Sequence, residues 1–139
     1  MTLVVDANVA VKWFVQQQGT DDARRVQAYR GPLVAPAMLI SETTNGLWRH
    51  VSHGDISSAN AQGAVAGLAW WFHELVEDHS LAAPALSLAI ELNCSPYDCF
   101  YLALARIRSA PLVTADKKFI NRLSATPYSS NVIHLAAWT

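Results

Sequence analysis

The sequence has few charged residues and almost no net charge, which excludes one broad class of nucleic-acid-binding protein. Of its 139 residues, 15% are charged, and the formal net charge is -1 with a pI of about 6.5. Proteins that bind nucleic acid broadly and without sequence preference usually present an overall basic surface. Any nucleic-acid contact of this chain is therefore expected to come from a local group of basic residues.

Cysteine and long apolar segments are also scarce. The two cysteines, Cys94 and Cys99, lack the C-x-x-C spacing of metal or redox motifs and are too few for a disulfide framework. A reducing, cytoplasmic setting is expected. The opening residues MTLVVDANVAVKWF have no basic leader and carry an acid within their apolar run, so they do not indicate a signal peptide. The uncharged segment 56–72 contains several polar side chains and is shorter than the ~20 apolar residues of a membrane span.

What the sequence does contain is an alternation of short apolar strands and helices. With 52% hydrophobic residues and no internal repeat, the chain predicts one domain over residues 1–139. Strands are predicted at 2–6, 32–36, 75–78, 111–116 and 131–135, with a continued helix as the alternative for 75–78. Helices are predicted at 7–16, from Thr20, from Pro36 to about Ser52, from Asp55 to about Phe72, at 80–93, from Ser95, and in a short basic segment after 116. This order predicts an α/β fold with a mainly parallel sheet, in which ligands bind beyond the carboxyl ends of the strands.

Two aspartates follow predicted strands. Asp6 closes the strand 2–6, and Asp116 closes the strand 111–116. Both are therefore expected at the edge of the sheet where α/β proteins build their sites. The alternative for each is helix capping, since a helix is predicted to follow directly. Position alone leaves both interpretations open.

Asp98 lies in the segment SPYDCFYLALA, which begins at Ser95. With Ser95 as the N-cap and Pro96 in the first turn, an acid at position 98 stabilises the helix dipole by ~0.3–1 kcal/mol. Helical periodicity also places Asp98 on the apolar face that contains Tyr101, where an unpaired carboxylate is costly to bury. Residues 92–105 contain no lysine or arginine. A counter-charge is therefore expected from elsewhere in the fold or from a metal ion.

Glu42 is the fourth acid, and helical periodicity favours a solvated position for it, on the same side as Arg49. If all four acids converge, their repulsion must be relieved, because two unit charges at 4 Å cost ~4 kcal/mol at an effective dielectric of 20. Carboxylate clusters relieve it by raised pKa values or by binding a cation. Oxygen ligands alone select Mg²⁺ or Mn²⁺ over zinc.

Four segments, in this order and spacing, resemble the PIN-domain ribonucleases and, among them, the VapC toxins of bacterial type II toxin–antitoxin systems. The segments are DANVAVKWF, SETTNGLWRHV, SPYDCFYLALA and PLVTADKKF. The resemblance extends from Thr2 to about Val132. It places the family's acidic quartet on Asp6, Glu42, Asp98 and Asp116, its hydroxyl residue on Thr114, and an often small and polar position on Asn8. Cys99 differs from the family, which usually has alanine there.

The resemblance implies a three-layer α/β/α domain and a Mg²⁺-dependent (or Mn²⁺-dependent) endoribonuclease. Under it, the acidic quartet would be both catalytic and metal-binding, and a metal-activated water would hydrolyse RNA phosphodiester bonds. It also implies a homodimer and a cognate VapB-type antitoxin that blocks the site.

Five basic side chains near these acids could contact RNA phosphates. Lys117, Lys118 and Arg122 follow Asp116 along the chain, while Lys12 and Arg49 lie downstream of the other acids. The alternative for the first three is a solvated short helix.

The histidines and tryptophans predict less. His50 and His53 form an H-x-x-H pair without a further zinc ligand nearby, which favours a solvated helix end. Trp48, Trp70 and Trp71 are expected mostly in the core. Since adjacent helical residues point about 100° apart, either Trp70 or Trp71 could instead form a dimer or antitoxin interface.

Two other functions compete with the nuclease hypothesis. A haloacid-dehalogenase-like phosphatase also places an aspartate after its first strand, but it requires a second acid two residues later, where this chain has Asn8. A catalytically silent PIN scaffold that binds only RNA or protein would not need the complete acidic quartet.

Overall fold

The computed structural model describes residues 1–138, and these form a five-stranded parallel sheet flanked by seven α-helices. The strands are β1 (Leu3–Val5), β2 (Leu33–Pro36), β3 (Glu74–Val76), β4 (Leu112–Thr114) and β5 (Val132–His134). The helices are α1 (Ala7–Lys12), α2 (Thr20–Gln27), α3 (Leu39–Ser52), α4 (Ser58–Gly67), α5 (Asp78–Leu92), α6 (Pro96–Ile107) and α7 (Lys117–Leu123). Short 3-10 turns span Leu68–Trp71, Ser129–Asn131 and Leu135–Ala137.

The sheet has the order β3-β2-β1-β4-β5, with every neighbouring pair parallel. The three residues of the central strand β1 are completely buried, as are Leu112 and Val113 of β4. Strands that are covered on both faces read as continuous apolar runs, which explains the LVV and LVT sequences of β1 and β4.

The helices occupy two layers, as the α/β class predicts. The chain moves outward from β1 to β2 and β3, and then returns to add β4 and β5 on the other side of β1. Since parallel crossovers are right-handed, the reversal places α1–α4 on one face and α5–α7 on the other. The packing agrees: α1 contacts α2 and α3, whereas α6 lies between α5 and the central strands. The order reverses between β1 and β4, which is where such sheets bind ligands.

Several predicted boundaries were wrong. Pro36 ends β2, paired with Val76, and does not begin a helix, because the turn at 37–38 delays α3. The next helix does not start at Asp55, since the Ser57 side chain accepts the N-terminal hydrogen bond from the Asn60 amide. The helix predicted at 7–16 ends at Lys12. No helix within residues 1–138 is long and apolar enough to cross a membrane.

The tryptophans are more exposed than the sequence predicted. Trp48 is 64% exposed and Trp70 is 90% exposed, so neither belongs to the core, and Trp71 is only partly covered. The buried aromatic cluster forms instead around Trp13, which packs against Phe72. The contribution of Trp70 or Trp71 to an interface stays a prediction.

Candidate active site

Asp6 is held at the carboxyl end of β1 by residues from the carboxyl end of β4. Its Oδ2 accepts a hydrogen bond of 2.8 Å from the Thr114 hydroxyl and a longer one of 3.3 Å from the Asn8 amide. The Asn8 Oδ1 in turn accepts from the Ala115 backbone N–H at 3.1 Å. The two neighbouring strand ends are thereby fastened together around one buried carboxylate.

Register explains why these residues meet. Val5 pairs with Val113, and the Asp6 amide donates to the Val113 carbonyl at 3.1 Å, so β1 and β4 end at the same level. Asp6 occupies the N-cap position of α1, yet its side chain makes no capping hydrogen bond. The capping interpretation was therefore wrong for Asp6, whose carboxylate is directed to the Asn8 and Thr114 side chains.

Asp98 reaches the same edge of the sheet from α6. Ser95 caps this helix through the Tyr97 amide and Pro96 opens its first turn, as predicted. Burial, and then repulsion from Asp116 and Glu42, raises the pKa of the half-buried Asp98 carboxyl to about 6. No lysine, arginine or histidine within residues 1–138 forms an ion pair with it. The counter-charge that the sequence calls for is thus not supplied by these side chains.

Glu42 completes a group of three carboxylates, and its predicted solvated position was wrong. It is half-buried on α3, and its Oε1 accepts a hydrogen bond of 2.6 Å from the hydroxyl of Tyr101, a residue that is 2% exposed. Burial raises the pKa of Glu42 despite this hydrogen bond. Sequence periodicity missed this contact because Tyr101 lies 59 positions away along the chain.

Asp116 is the one acid of the four that does not line the cavity shared by the other three. Its Oδ1 caps α7 by accepting from the Phe119 amide at 3.1 Å, so the capping interpretation is confirmed for this residue. Its charge nevertheless contributes to the raised pKa of Asp98. Asp116 therefore stands beside the three-carboxylate group without lining the same cavity.

Three of the acids line a single cavity of about 660 Å³. Its lining includes Asp6, Asn8, Lys12, Glu42, Asn45, Arg49, His50, His53 and Asp98. Gly46 allows α3 to approach α1 here, since a Cβ at this position would lie 2.8 Å from a methyl group of Val11.

Burial raises the pKa of Asp6 to about 7 in spite of the hydrogen bond from Thr114, which lowers it, and repulsion from Asp98 and Glu42 adds smaller upward contributions. None of the four acids takes part in an ion pair with another side chain in the described range. The cavity thus brings together carboxylates that are not directly ion-paired with the cationic side chains of the described residues.

The five predicted basic residues fall into three groups. Lys12 and Arg49 line the cavity, with the Lys12 ammonium donating to the Gln18 carbonyl at 2.9 Å. Lys117 and Lys118 are exposed and lie outside the cavity lining. Arg122 donates to the carbonyl of Asn93 at the end of α5, so it is engaged in a helix-end contact.

A family comparison now decides the class of the domain. Residues 3–123 match the model of the PIN domain, and this match covers most of the chain. The chain belongs to the PIN-domain family.

Individual relatives of this PIN domain agree in length and fold. The curated ribonuclease VapC3 of Pyrobaculum aerophilum is 28% identical over 128 residues, which are 90% of this chain and 97% of that protein. PAE2754 from the same organism has a similar crystal structure, with a TM-score of 0.73, 20% identity, and coverage of 98% of this chain and 90% of the other.

Two further similar structures are complexes. A toxin–antitoxin complex from Klebsiella pneumoniae gives a TM-score of 0.69 at 16% identity and covers 96% of this chain and 97% of the other. VapBC2 from Rickettsia felis, bound to a DNA fragment from its promoter, gives 0.68 at 14% identity with full coverage of both chains.

The donor set of this PIN domain fits a hard divalent cation. Within residues 1–138, no group of three or more His, Cys, Asp or Glu side chains is placed so that all of them could hold one metal ion. Mg²⁺ does not require such a group, because it usually binds one or two carboxylates and completes its octahedron with water and substrate phosphate. The carboxylates of Asp6, Glu42 and Asp98 provide oxygen donors, and their pKa values are raised. They line an open cavity that leaves room for water and phosphate, which suits this mode of binding.

The cavity also contains residues that the sequence analysis had not placed in a site. Asn45, His50 and His53 line it together with Glu42 and Arg49, which puts the polar face of α3 along one wall. His50 is also hydrogen-bonded to Asp55, with 2.8 Å between Nδ1 and Oδ2. These four residues lie three, seven, eight and eleven positions after Glu42, which is the spacing of one helix face and could have revealed this wall.

Proposed function

We propose that this PIN domain is a divalent-cation-dependent endoribonuclease of the VapC type. The observation that carries the proposal is the convergence of Asp6, Glu42 and Asp98 on one cavity without an ion-paired cation from residues 1–138. Membership of the PIN family and similarity to a curated ribonuclease over nearly the full length support the same conclusion.

In this proposal, Asp6, Asp98 and Glu42 hold Mg²⁺ or Mn²⁺, and Asp116 adds negative charge beside them. When bound, the cation supplies Lewis-acid stabilisation of charge on the phosphoryl group and increases the acidity of water. Thr114 and Asn8 fix the orientation of the Asp6 carboxylate, as supporting residues of metal sites commonly do. Tyr101 does the same for Glu42.

The polar wall of α3 offers a path for the RNA backbone. From Glu42 to Arg49 the helix rises ~10 Å, which separates the carboxylates from Arg49, His50 and His53 at the other end of the cavity. We place the scissile phosphate at the carboxylates and a neighbouring phosphate near Lys12 and Arg49.

Lys117 and Lys118 would contact the RNA beyond the cavity. A few local phosphate contacts of this kind do not require an overall basic protein.

The biological setting that we propose is a toxin–antitoxin pair in the cytoplasm. VapC3 is named a ribonuclease, and two of the similar structures are a toxin–antitoxin complex and a VapBC assembly. By analogy, this chain would form a homodimer and bind a VapB-type antitoxin that covers the carboxylate cavity. The exposed Trp70 and Trp71 are candidates for one of these interfaces.

Cleavage of RNA by the purified protein tests the nuclease proposal. We expect cleavage with Mg²⁺ or Mn²⁺, none with EDTA, and a severe loss in Asp6→Asn and Asp98→Asn, whereas the matched Glu74→Gln variant outside the cavity should retain activity. Cleavage that survives EDTA and both cavity substitutions would contradict the metal mechanism. RNA binding without cleavage in the presence of either cation would favour the silent scaffold.

Expression in a bacterial host tests the toxin assignment separately. The wild-type chain should arrest growth, and Asp98→Asn should relieve the arrest at equal expression. An RNA-cleaving enzyme that leaves growth unaffected would retain the nuclease proposal and reject the toxin role.

A further inference from the structure

The two cysteines meet at the beginning of α6, next to the carboxylate cavity. Their sulfur atoms are 3.4 Å apart, although the residues are five positions apart in sequence. Cys94 is half-buried in the connection after α5, whereas Cys99 is completely buried in α6. A disulfide has a sulfur–sulfur distance of about 2.05 Å, so the pair is ~1.3 Å from bonding distance.

Both cysteines are held by the fold, and the segment between them carries Asp98. Cys99 is packed in the core, and the end of α5 just before Cys94 is fastened by Arg122, which donates to the carbonyl of Asn93 at 3.0 Å. Because Cys99 and the chain just before Cys94 are both held, we expect closure of the sulfur–sulfur gap to shift the first turn of α6. This turn contains the Ser95 cap and the Asp98 carboxylate.

We propose that Cys94 and Cys99 form an oxidisable dithiol whose disulfide state displaces Asp98 and weakens cation binding in the cavity. The reaction partner is a small disulfide oxidant such as oxidised glutathione. This inference rests on the proposed function for its consequence, but disulfide formation itself can be observed without any nuclease activity.

The exchange is balanced in two steps. The Cys94 sulfur, which is the more accessible of the two, attacks one sulfur of the oxidant, forms a mixed disulfide and releases one glutathione thiolate. The Cys99 sulfur then attacks the Cys94 sulfur, forms the Cys94–Cys99 bond and releases the second glutathione. The two protein thiols lose two electrons to the oxidant, and their two protons go to the two glutathione thiolates.

A shift of Asp98 by about 1 Å is large enough to impair cation binding and catalysis. Catalytic groups must be held within ~0.5 Å of their productive position, and a misplacement of ~1 Å can lower a rate by about 10²-fold. We therefore expect the disulfide to weaken Mn²⁺ binding by on the order of 10-fold or more and to lower RNA cleavage by about 10- to 100-fold, with recovery after reduction by dithiothreitol.

The test compares reduced and glutathione-oxidised protein, with Cys94→Ala and Cys99→Ala as two independent controls. Intact mass should show the loss of two hydrogen atoms in the wild-type chain and in neither variant. Mn²⁺ binding by calorimetry should weaken in the oxidised wild type alone. Absence of the intramolecular disulfide, a persistent glutathione adduct, or a disulfide that leaves Mn²⁺ binding unchanged would overturn the proposal.

One outcome separates this proposal from the proposed function. If the reduced wild-type protein neither binds Mn²⁺ nor cleaves RNA, the nuclease proposal fails. The structural effect of the disulfide is then tested by comparing hydrogen exchange in the reduced and oxidised proteins. Faster exchange of the backbone amides of residues 97–99 after oxidation would support the conformational device. Unchanged exchange would reject it.

Discussion

The acidic side chains inside and outside the cavity differ in their ion pairing and in the direction of their pKa shifts. Outside the cavity, Glu74 at the start of β3 is exposed and receives two hydrogen bonds of 2.8 Å from Arg108, whose guanidinium lowers the pKa of Glu74. In the cavity, Asp6 and Asp98 are buried or half-buried, unpaired with any cationic side chain of residues 1–138, and have raised pKa values. Under the proposed function, this difference means that the cavity carboxylates are arranged for a ligand, at a cost in stability.

The largest expected effect comes from removing a cavity carboxylate. Asp98→Asn should lower RNA cleavage by on the order of 10³-fold, because the cation supplies several kcal/mol of transition-state stabilisation and each ~1.4 kcal/mol is tenfold in rate. Single-turnover cleavage at saturating Mg²⁺ measures this. A loss of less than tenfold would show that Asp98 is dispensable, and the contrast with Glu74 would disappear.

The contrast between the two groups also predicts how stability depends on pH. The pKa of Asp6 rises from 3.8 in the unfolded chain to about 7 in the fold, so the native state binds the extra proton and stability falls as the pH rises through this interval. Asp98 acts in the same direction up to about pH 6. Without metal, the free energy of unfolding should fall between pH 5 and 8 by on the order of 2–3 kcal/mol from Asp6 alone, and Asp98 should add to the fall.

Urea titrations in EDTA over this pH range measure the fall. Asp6→Asn should flatten the dependence, whereas Glu74→Gln should leave it unchanged. Added Mg²⁺ should stabilise the wild type most at the higher pH, where the carboxylates are ionised. A metal-free protein whose stability is flat or rises across this range would contradict the raised pKa values.

The supporting hydrogen bonds should have intermediate effects. Thr114→Val removes the 2.8 Å donor to Asp6 with almost no change in shape, and such outer residues typically change metal affinity or activity by about 10- to 100-fold. Calorimetric titration with Mn²⁺ gives the affinity. An unchanged affinity together with unchanged cleavage would show that the Asp6 carboxylate needs no fixing by β4.

A smaller effect on cation binding is expected from losing the hydrogen bond to Glu42. Tyr101→Phe keeps the buried ring and removes the donor to Glu42, a loss of about 0.5–1.5 kcal/mol. The Mg²⁺ concentration for half-maximal cleavage should rise by roughly threefold to tenfold. If the substitution lowers the free energy of unfolding but leaves the half-maximal Mg²⁺ concentration unchanged, Tyr101 has a purely structural role.

The smallest effect should come from the paired group. Arg108→Ala leaves Glu74 solvated, and exposed ion pairs of this kind contribute little to stability. Thermal unfolding and RNA cleavage should both remain close to wild type. A marked loss of cleavage would show that the charges outside the cavity are not independent of it.

The sequence predicted the strands and the local helix signals well because these depend on short patterns. The buried β1 and β4, the Ser95 cap and the Pro96 turn were all recognised from adjacent residues. Pro36 was misplaced because a proline is compatible both with a strand end and with a helix start, and the pairing of β2 with β3 decides between them.

The parts of the site that the sequence could not predict depend on distant contacts. Glu42 reads as a solvated residue of an amphipathic helix until Tyr101 is brought to it from α6. Trp48 reads as core, but α3 and α4 leave it 64% exposed. For Asp6, the sequence predicted only a position at the edge of the sheet. The hydrogen bond that distinguishes a site residue from a helix cap comes from Thr114 of β4, far along the chain.

Crystals of the wild-type protein grown with Mn²⁺ at pH 8 test the central claim most directly, through the anomalous scattering of the ion. The account predicts a manganese peak in the cavity with oxygen ligands from at least two of Asp6, Glu42 and Asp98, and no such peak in Asp98→Asn crystals. A fully formed cavity that stays empty at millimolar Mn²⁺, or manganese bound only elsewhere on the molecule, would contradict it.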